Sequence, residues 1–305
     1  MDFLYITFPI SGVSTWVFIP PFVAFVVSFF TSMGGLSGAF MLLPFQMSIL
    51  NYTSPSVSGT NQLFNIIATR SGVWRYVKEQ RMVWPLTWAV IIGTLPGVLI
   101  GAWIRLEYLP NPKSFKFFTG LVLCYIGIRL LSGTIKETKE KSSLQNNNSS
   151  QSQTDFTVSD AHFSLKKVEF SFGGEHYSFS VPGVLVLCMI VGVIGGIYGI
   201  GGGAIIAPFF ITFFHLPVYT VAGAALMGTF VTSVAGVITY QMLAPYYSTL
   251  SVAPDWSLGI LFGIGGFAGM YLGARCQKYI PAHIIKIILC ACVLSVAGKY
   301  IFDFF

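Results

Sequence analysis

The sequence predicts an all-α polytopic membrane protein of two homologous repeats, inverted relative to each other, with broken or re-entrant helices and a small cytoplasmic β-hairpin insertion. Three observations predict it. Of 305 residues, 54% are hydrophobic and only 9% are charged, where soluble domains carry about 25% charge. The apolar residues form long continuous runs instead of alternating segments of about ten residues, which excludes an outer-membrane barrel. The two halves of the chain also match each other in sequence. The net charge of +6 falls between the apolar runs, where it orients spans in a membrane, so nucleic acid is not expected as a partner.

Eight apolar runs have the length of a span: 16–33, 57–76, 83–104, 114–131, 181–200, 218–242, 256–274 and 281–302. No basic region precedes the first, so it is expected to be retained and not cleaved as a signal peptide. Two shorter apolar pieces, 39–50 and 203–214, follow glycine clusters and are too short to cross alone. Between the halves, Lys136–Lys141 is charged and Gln145–Gln153 is a Ser/Asn/Gln tract, which reads as a linker. Val168, Phe170 and Phe172, then Gly173-Gly174, then Tyr177 and Phe179 read as a β-hairpin. The organisation is therefore a first transmembrane repeat at 1–131, a cytoplasmic insertion at 132–180 and a second repeat at 181–305. Cys124, Cys188, Cys276, Cys290 and Cys292 form no CxxC and read as small hydrophobes.

The repeat holds one offset over several helices. An offset of 164 pairs Gly35 with Gly199, Gly38 with Gly202, Pro44-Phe45 with Pro208-Phe209, Gly59 with Gly223 and Gly72-Val73 with Gly236-Val237. After a short insertion it becomes 172, pairing Trp84 with Trp256 and Gly93, Gly97 and Gly101 with Gly265, Gly269 and Gly273. If each half has one re-entrant hairpin and three crossings, the halves are inverted; if the first element crosses once, they are parallel. The inverted arrangement places Arg75, Lys78, Arg81, Lys136, Lys139, Lys141, Lys166, Lys167, Arg275 and Lys278 inside. Arg105, Lys113, Lys116 and Lys299 then lie outside, which is narrowly the better fit to the positive-inside rule.

Candidate binding residues gather at two places. The first is the glycine break of each half: Gly34, Gly35, Ser37 and Gly38, then Gly199, Gly201, Gly202 and Gly203. Broken backbone at membrane depth must be buried in protein or line a cavity, and the short helix that follows offers free N–H groups to an anion. Close helix packing is the alternative reason for such glycines. The second place is the helix after each break. Asn61, Asn65 and Thr69 share one face with Gln62 beside them, and Thr229 and Ser233 are the second-half equivalents of Asn65 and Thr69. Such side chains either donate to an anion or join helices. Arg70 lies inside a run and is either a snorkelling residue or an attractor of anions. No acidic residue falls mid-span, so a carboxylate proton relay is not expected. No HExxH, GxSxG or Cys/His cluster occurs, so no catalytic residue, metal or cofactor is expected and the chain does not read as an enzyme.

Tyr198-Gly-Ile-Gly-Gly-Gly203 ending in Pro208, then Asp255-Trp256, then Gly269…Gly273-Ala-Arg275 before Pro281 resemble the sulfite exporter TauE/SafE family. The resemblance covers nearly the whole chain and is closer in the second half. The first half departs, with Gly35-Leu-Ser-Gly38 at its break and Val83 where an Asp would precede Trp84. The resemblance implies a cofactor-free permease for a small sulfur-containing anion, such as sulfite or a sulfonate, in a bacterial inner membrane. Its partners would be that anion and the lipid bilayer, with a homodimer left open. The long 132–180 insertion is unlike the short central loop the family implies. An anion channel, or a membrane scaffold or sensor acting through that insertion, are the alternatives.

Overall fold

A computed structural model describes residues 4–33, 37–78, 82–144, 158–163, 167–172, 175–213, 218–276 and 282–305. Gly34, Gly35, the 145–153 tract and the Gly173-Gly174 turn lie outside these. The first half comprises α1 (Ile19–Met33), α2 (Ala39–Ser48), α3 (Ser56–Ala68), α4 (Arg70–Lys78), α5 (Trp84–Glu107) and α6 (Pro112–Leu144). The second comprises α7 (Val181–Tyr198), α8 (Gly203–Phe213), α9 (Val218–Leu243), α10 (Trp256–Cys276) and α11 (Ala282–Phe302). Five described helices are long and apolar enough to span a bilayer, while Ile19–Met33, Ala39–Ser48 and Ile287–Phe302 are shorter apolar pieces.

Several elements differ from expectation. The 57–76 run is interrupted at Thr69, which keeps helical backbone (φ −77°, ψ −15°), so α3 and α4 form one nearly continuous helix. Arg70 sits at that joint and is exposed. Helix α6 runs on through the charged stretch to Leu144, as Lys and Glu are good helix formers. The expected hairpin carries an extra strand. β3 (Val158–Phe163), β4 (Lys167–Phe172) and β5 (Glu175–Ser180) form an antiparallel meander. A second, unexpected hairpin, β1 (Tyr5–Thr7) with β2 (Ser14–Trp16), precedes α1. It docks where Ser251 Oγ donates to Ile10 O (2.7 Å) and Ser11 N–H donates to Asp255 Oδ2 (3.0 Å). Asp255 also caps α10 by accepting from Leu258 N–H (3.1 Å); its counterpart Val83 offers α5 no side-chain cap.

The halves interleave. α1 packs on α10 and α7 on α5; α3 packs on α10 and α9 on α5; α3 packs on α9 and α6 on α11. Exchanging every helix for its repeat equivalent leaves this pattern unchanged. Small residues make the contacts close: a Cβ at Gly97 would lie 2.3 Å from Met189 O, and one at Gly269 2.2 Å from Phe25 O. Polarity is inside out. Ser58, Asn61, Gln62, Asn65, Thr232 and Ser233 are fully buried, whereas Trp88, Ile92, Ile190, Ile264 and Ile288 face outward, as a lipid solvent requires.

Two helix pairs are each made of repeat equivalents, and both run antiparallel. Gly59 of α3 faces Tyr240 of α9, whereas Gly72, farther along, faces Leu226. Gly120 of α6 faces Tyr300 and Ile301 of α11, whereas Gly127 faces Leu294. A twofold axis in the membrane plane relates contacting equivalents in this antiparallel way; an axis along the membrane normal makes them parallel. Exposed Lys78 lies beside the first turns of α9 and exposed Ser248 follows its C-terminal end. Single cysteines at these two positions, in a background lacking the five native ones, are expected to react with an impermeant maleimide from opposite membrane faces. Labelling from one face would contradict the inverted arrangement.

Candidate functional site

Helix α7 ends at the glycine break. Gly199 takes the left-handed conformation (φ 85°) and closes the helix by donating to Gly195 O (2.8 Å). A Cβ there would stand 2.4 Å from Ser58 O, so both the conformation and the space demand glycine. Gly201 is also left-handed (φ 76°) and lies against Ser233 and Thr229. α8 then starts at Gly203, pressed against α9, where a Cβ would meet Ala225 O at 2.0 Å.

A helix that ends inside a membrane leaves carbonyls that water cannot reach. Here side chains from both repeats accept that task. Ser58 Oγ donates to Ile197 O (2.9 Å), Asn61 Nδ2 to Gly199 O (3.1 Å), Asn65 Nδ2 to Ile200 O (2.8 Å) and Tyr240 Oη to Gly196 O (3.2 Å). Asn61 Nδ2 also reaches Ala39 O (3.0 Å), Ser37 Oγ donates to Asn65 Oδ1 (2.8 Å), and Tyr198 Oη donates to Phe40 O (2.7 Å). Helix α3 therefore ties the two breaks together. Gly202 N–H donates to Thr232 Oγ1 (3.1 Å), and Thr229 Oγ1 donates within its own helix to Ala225 O (2.8 Å). Gly38 precedes α2 and its carbonyl accepts from Met41 and Leu42 N–H.

The residues expected from sequence are thus brought together, but in two roles. Ser37, Asn61 and Asn65 hold backbone. Gln62 and Ser233 do not: Gln62 Oε1, Gln62 Nε2 and Ser233 Oγ are buried with no hydrogen-bond partner. The Gln62 amide lies over Gly236, where a Cβ would fall 1.8 Å from Oε1, and Ser233 Oγ stands 2.8 Å from the position of a Cβ on Gly201. Ser233 and Gly236 share one face of α9. The free polar atoms therefore lie where α3 meets α9, Gln62 against Gly236 and Ser233 beside the second break. Of these, Gln62 Nε2 and Ser233 Oγ are neutral donors and Gln62 Oε1 is an acceptor, so none places a fixed charge in the membrane. Sequence reasoning missed Ser58, Thr232 and Tyr240, which cap the break. Thr232 aligns with Ala68 in the repeat, so no symmetry flags it, although it adjoins Ser233.

Gly199→Ala is expected to destabilise the purified protein by at least about 2 kcal/mol, from left-handed strain and the clash with Ser58. Asn65→Leu orphans Ile200 O and leaves Ser37 Oγ with only its acceptance from Ala39 N–H (3.4 Å), and is expected to cost about 1–3 kcal/mol for the unpaired carbonyl. Thermal melting in detergent measures both, and an unchanged melting temperature in either variant would refute the capping role.

Comparison with known proteins agrees with this architecture. The family profile described as sulfite exporter TauE/SafE matches residues 21–300. The chain is 22% identical over 281 residues to the probable membrane transporter protein YunE of Bacillus subtilis (strain 168), covering 89% of this chain and 92% of that protein. It is 27% identical over 104 residues to the probable membrane transporter protein YdhB of the same organism, covering 33% and 38%. No solved structure matches. The protein is a membrane transporter, and the chain belongs to the sulfite exporter TauE/SafE family.

Proposed function

We propose that this transporter exports a small sulfur-containing anion, sulfite or a sulfonate, across a bacterial plasma membrane by alternating access, and that Gln62 and Ser233 bind the anionic group beside the second glycine break. The observation that carries this reading is the pair of fully buried, unpartnered polar side chains at the α3–α9 contact, Ser233 beside the second break and Gln62 against Gly236; Ser28 Oγ and Gln46 Oε1 are likewise unpartnered, on the side of the first break. Leaving such atoms unpaired costs about 1–3 kcal/mol each, which a bound oxyanion removes. Gly199, Gly201, Gly202 and Gly203 shape the wall, Ser37, Gly38, Asn61 and Asn65 hold it, and Thr229 packs on Gly201. Gly34 and Gly35 complete the first break in this reading. The antiparallel equivalents α3 and α9 flank the site, and rocking of inverted units about such a place exposes it to each side in turn.

Gln62→Leu and Ser233→Ala are each expected to lower sulfite efflux from proteoliposomes at least tenfold, since a hydrogen bond to a charged group contributes about 1.5–3 kcal/mol. Gln62→Leu also removes the unpaired amide, so its melting temperature in sulfite-free buffer should not fall. Wild-type flux in both variants would exclude this pair as the site.

Export needs no coupled ion in this proposal. An inside-negative potential favours an anion outside by about 2.3 kcal/mol per charge per 100 mV, which supports roughly a fifty-fold gradient of a monovalent anion. Efflux from sulfite-loaded vesicles clamped with potassium and valinomycin should rise as the interior becomes more negative, at constant pH and without sodium. Efflux that ignores voltage and follows an imposed pH or sodium gradient would reverse this conclusion. Saturation with rising internal sulfite separates a carrier from a channel.

A further inference from the structure

Arg105 is the one fully buried basic side chain among the described residues. It lies near the C-terminal end of α5. Part of its surroundings is ordinary. Nη1 donates to Leu109 O, which suits a cation at a helix C-terminus, and the guanidinium lies 3.7 Å over the Phe115 ring. The rest is not. Nε and Nη2 are buried and have no hydrogen-bond partner, and no carboxylate pairs with Arg105 among the described residues. The exposed Glu107 carboxylate instead accepts from half-buried Tyr247 Oη (3.2 Å).

The two idle donors belong together. Nε–H and one Nη2–H leave the same edge of a guanidinium in parallel, forming the fork that matches two oxygens of a carboxylate, phosphate or sulfonate. A buried, half-bonded cation without a counter-charge is strongly unfavourable. Phe115 covers one face of the plane and Leu109 O occupies Nη1, so the Nε/Nη2 edge is where an anion meets the charge. Tyr240 neighbours Arg105 and caps Gly196 O, one turn before the Gly199 break. We propose that this edge of Arg105 is a second oxyanion-binding site, taking two oxygens of a sulfur or phosphorus oxyanion in bidentate fashion. It is separate from the Gln62–Ser233 site and does not rest on it.

The test uses the purified full chain, first freed of lipid in neutral detergent. Sulfite, methanesulfonate and inorganic phosphate are titrated against chloride at constant ionic strength, and melting is followed. The oxyanions are expected to raise the melting temperature by a few degrees where chloride does not. Arg105→Lys, which keeps the charge and loses the fork, should weaken the response at least tenfold in concentration. Made in a Gln62→Leu background, so that the proposed transport site cannot contribute, Arg105→Met, which removes the cation, should abolish it and also serves if the lysine variant fails to fold. Gln62→Leu should retain it. A full response in Arg105→Met, or an equal response to chloride, overturns the proposal. If lipid-free protein does not respond, native mass spectrometry after exposure to phosphatidylglycerol vesicles decides the source. A bound phospholipid lost in Arg105→Met identifies a headgroup phosphate as the occupant and upholds the site; no bound lipid in the wild type overturns it.

Discussion

The arrangement of the core follows from one constraint: a helix that stops inside the bilayer must find donors for its last carbonyls within the protein. The end of α7 meets this with Ser58, Asn61, Asn65 and Tyr240, three residues from the first repeat and one from the second. Once α3 is committed to capping that break, its polar face must be buried. It therefore lies between α9 and α10, and the polar interior with its apolar exterior results. The Ser, Asn and Gln residues that make α3 a poor membrane span by hydropathy are the reason it sits at the centre.

Much of this was legible in the sequence. Continuous apolar runs marked the five long apolar helices, whereas the 16–33 and 57–76 runs hold shorter ones, and the glycine cluster at 199–203 marked the second break, because each signal is local or periodic. The paired carboxamides Asn61 and Asn65 were legible as a shared polar face, but not what each atom does there. Which amide caps a carbonyl and which stays free depends on where α7 ends in space: Asn61 meets Gly199 O, and Gln62, one residue on around the helix, meets Gly236. The β1–β2 strands are three residues each, too short for alternation to register. β3, with Asp160 and His162 among its residues, lacks an alternating apolar pattern altogether. Arg105 read as an ordinary flanking charge, since nothing in its local sequence shows that Phe115 and Leu109 fold back over it.

Satisfied and unsatisfied groups also divide the molecule by mechanical character. Around the second break nearly every polar atom is bonded across helices, which holds the left-handed turns at Gly199 and Gly201 in place. The free atoms of Gln62 and Ser233 sit on the adjoining faces of α3 and α9, the antiparallel pair of repeat equivalents. A rigid wall on one side and unbonded donors on the other is an arrangement that a ligand can complete without first breaking existing hydrogen bonds.

The interleaving of the halves has a consequence for how the protein is made. Helix α1 leaves the ribosome with a ridge of backbone at Pro21, Phe25 and Phe29 whose matching groove, Gly265, Gly269 and Gly273, is more than two hundred residues from being synthesised. α5 has its partner α7 much sooner. During translation the first repeat therefore waits in the bilayer with one flank unmatched, and the native contacts of α1 can form only after α10 has been inserted. Assembly is thus bound to be late and concerted, with long-range contacts closing last. A chain truncated before α10 would present that open flank to the membrane's proteases, so quality control has a physical mark by which to distinguish unfinished protein from finished.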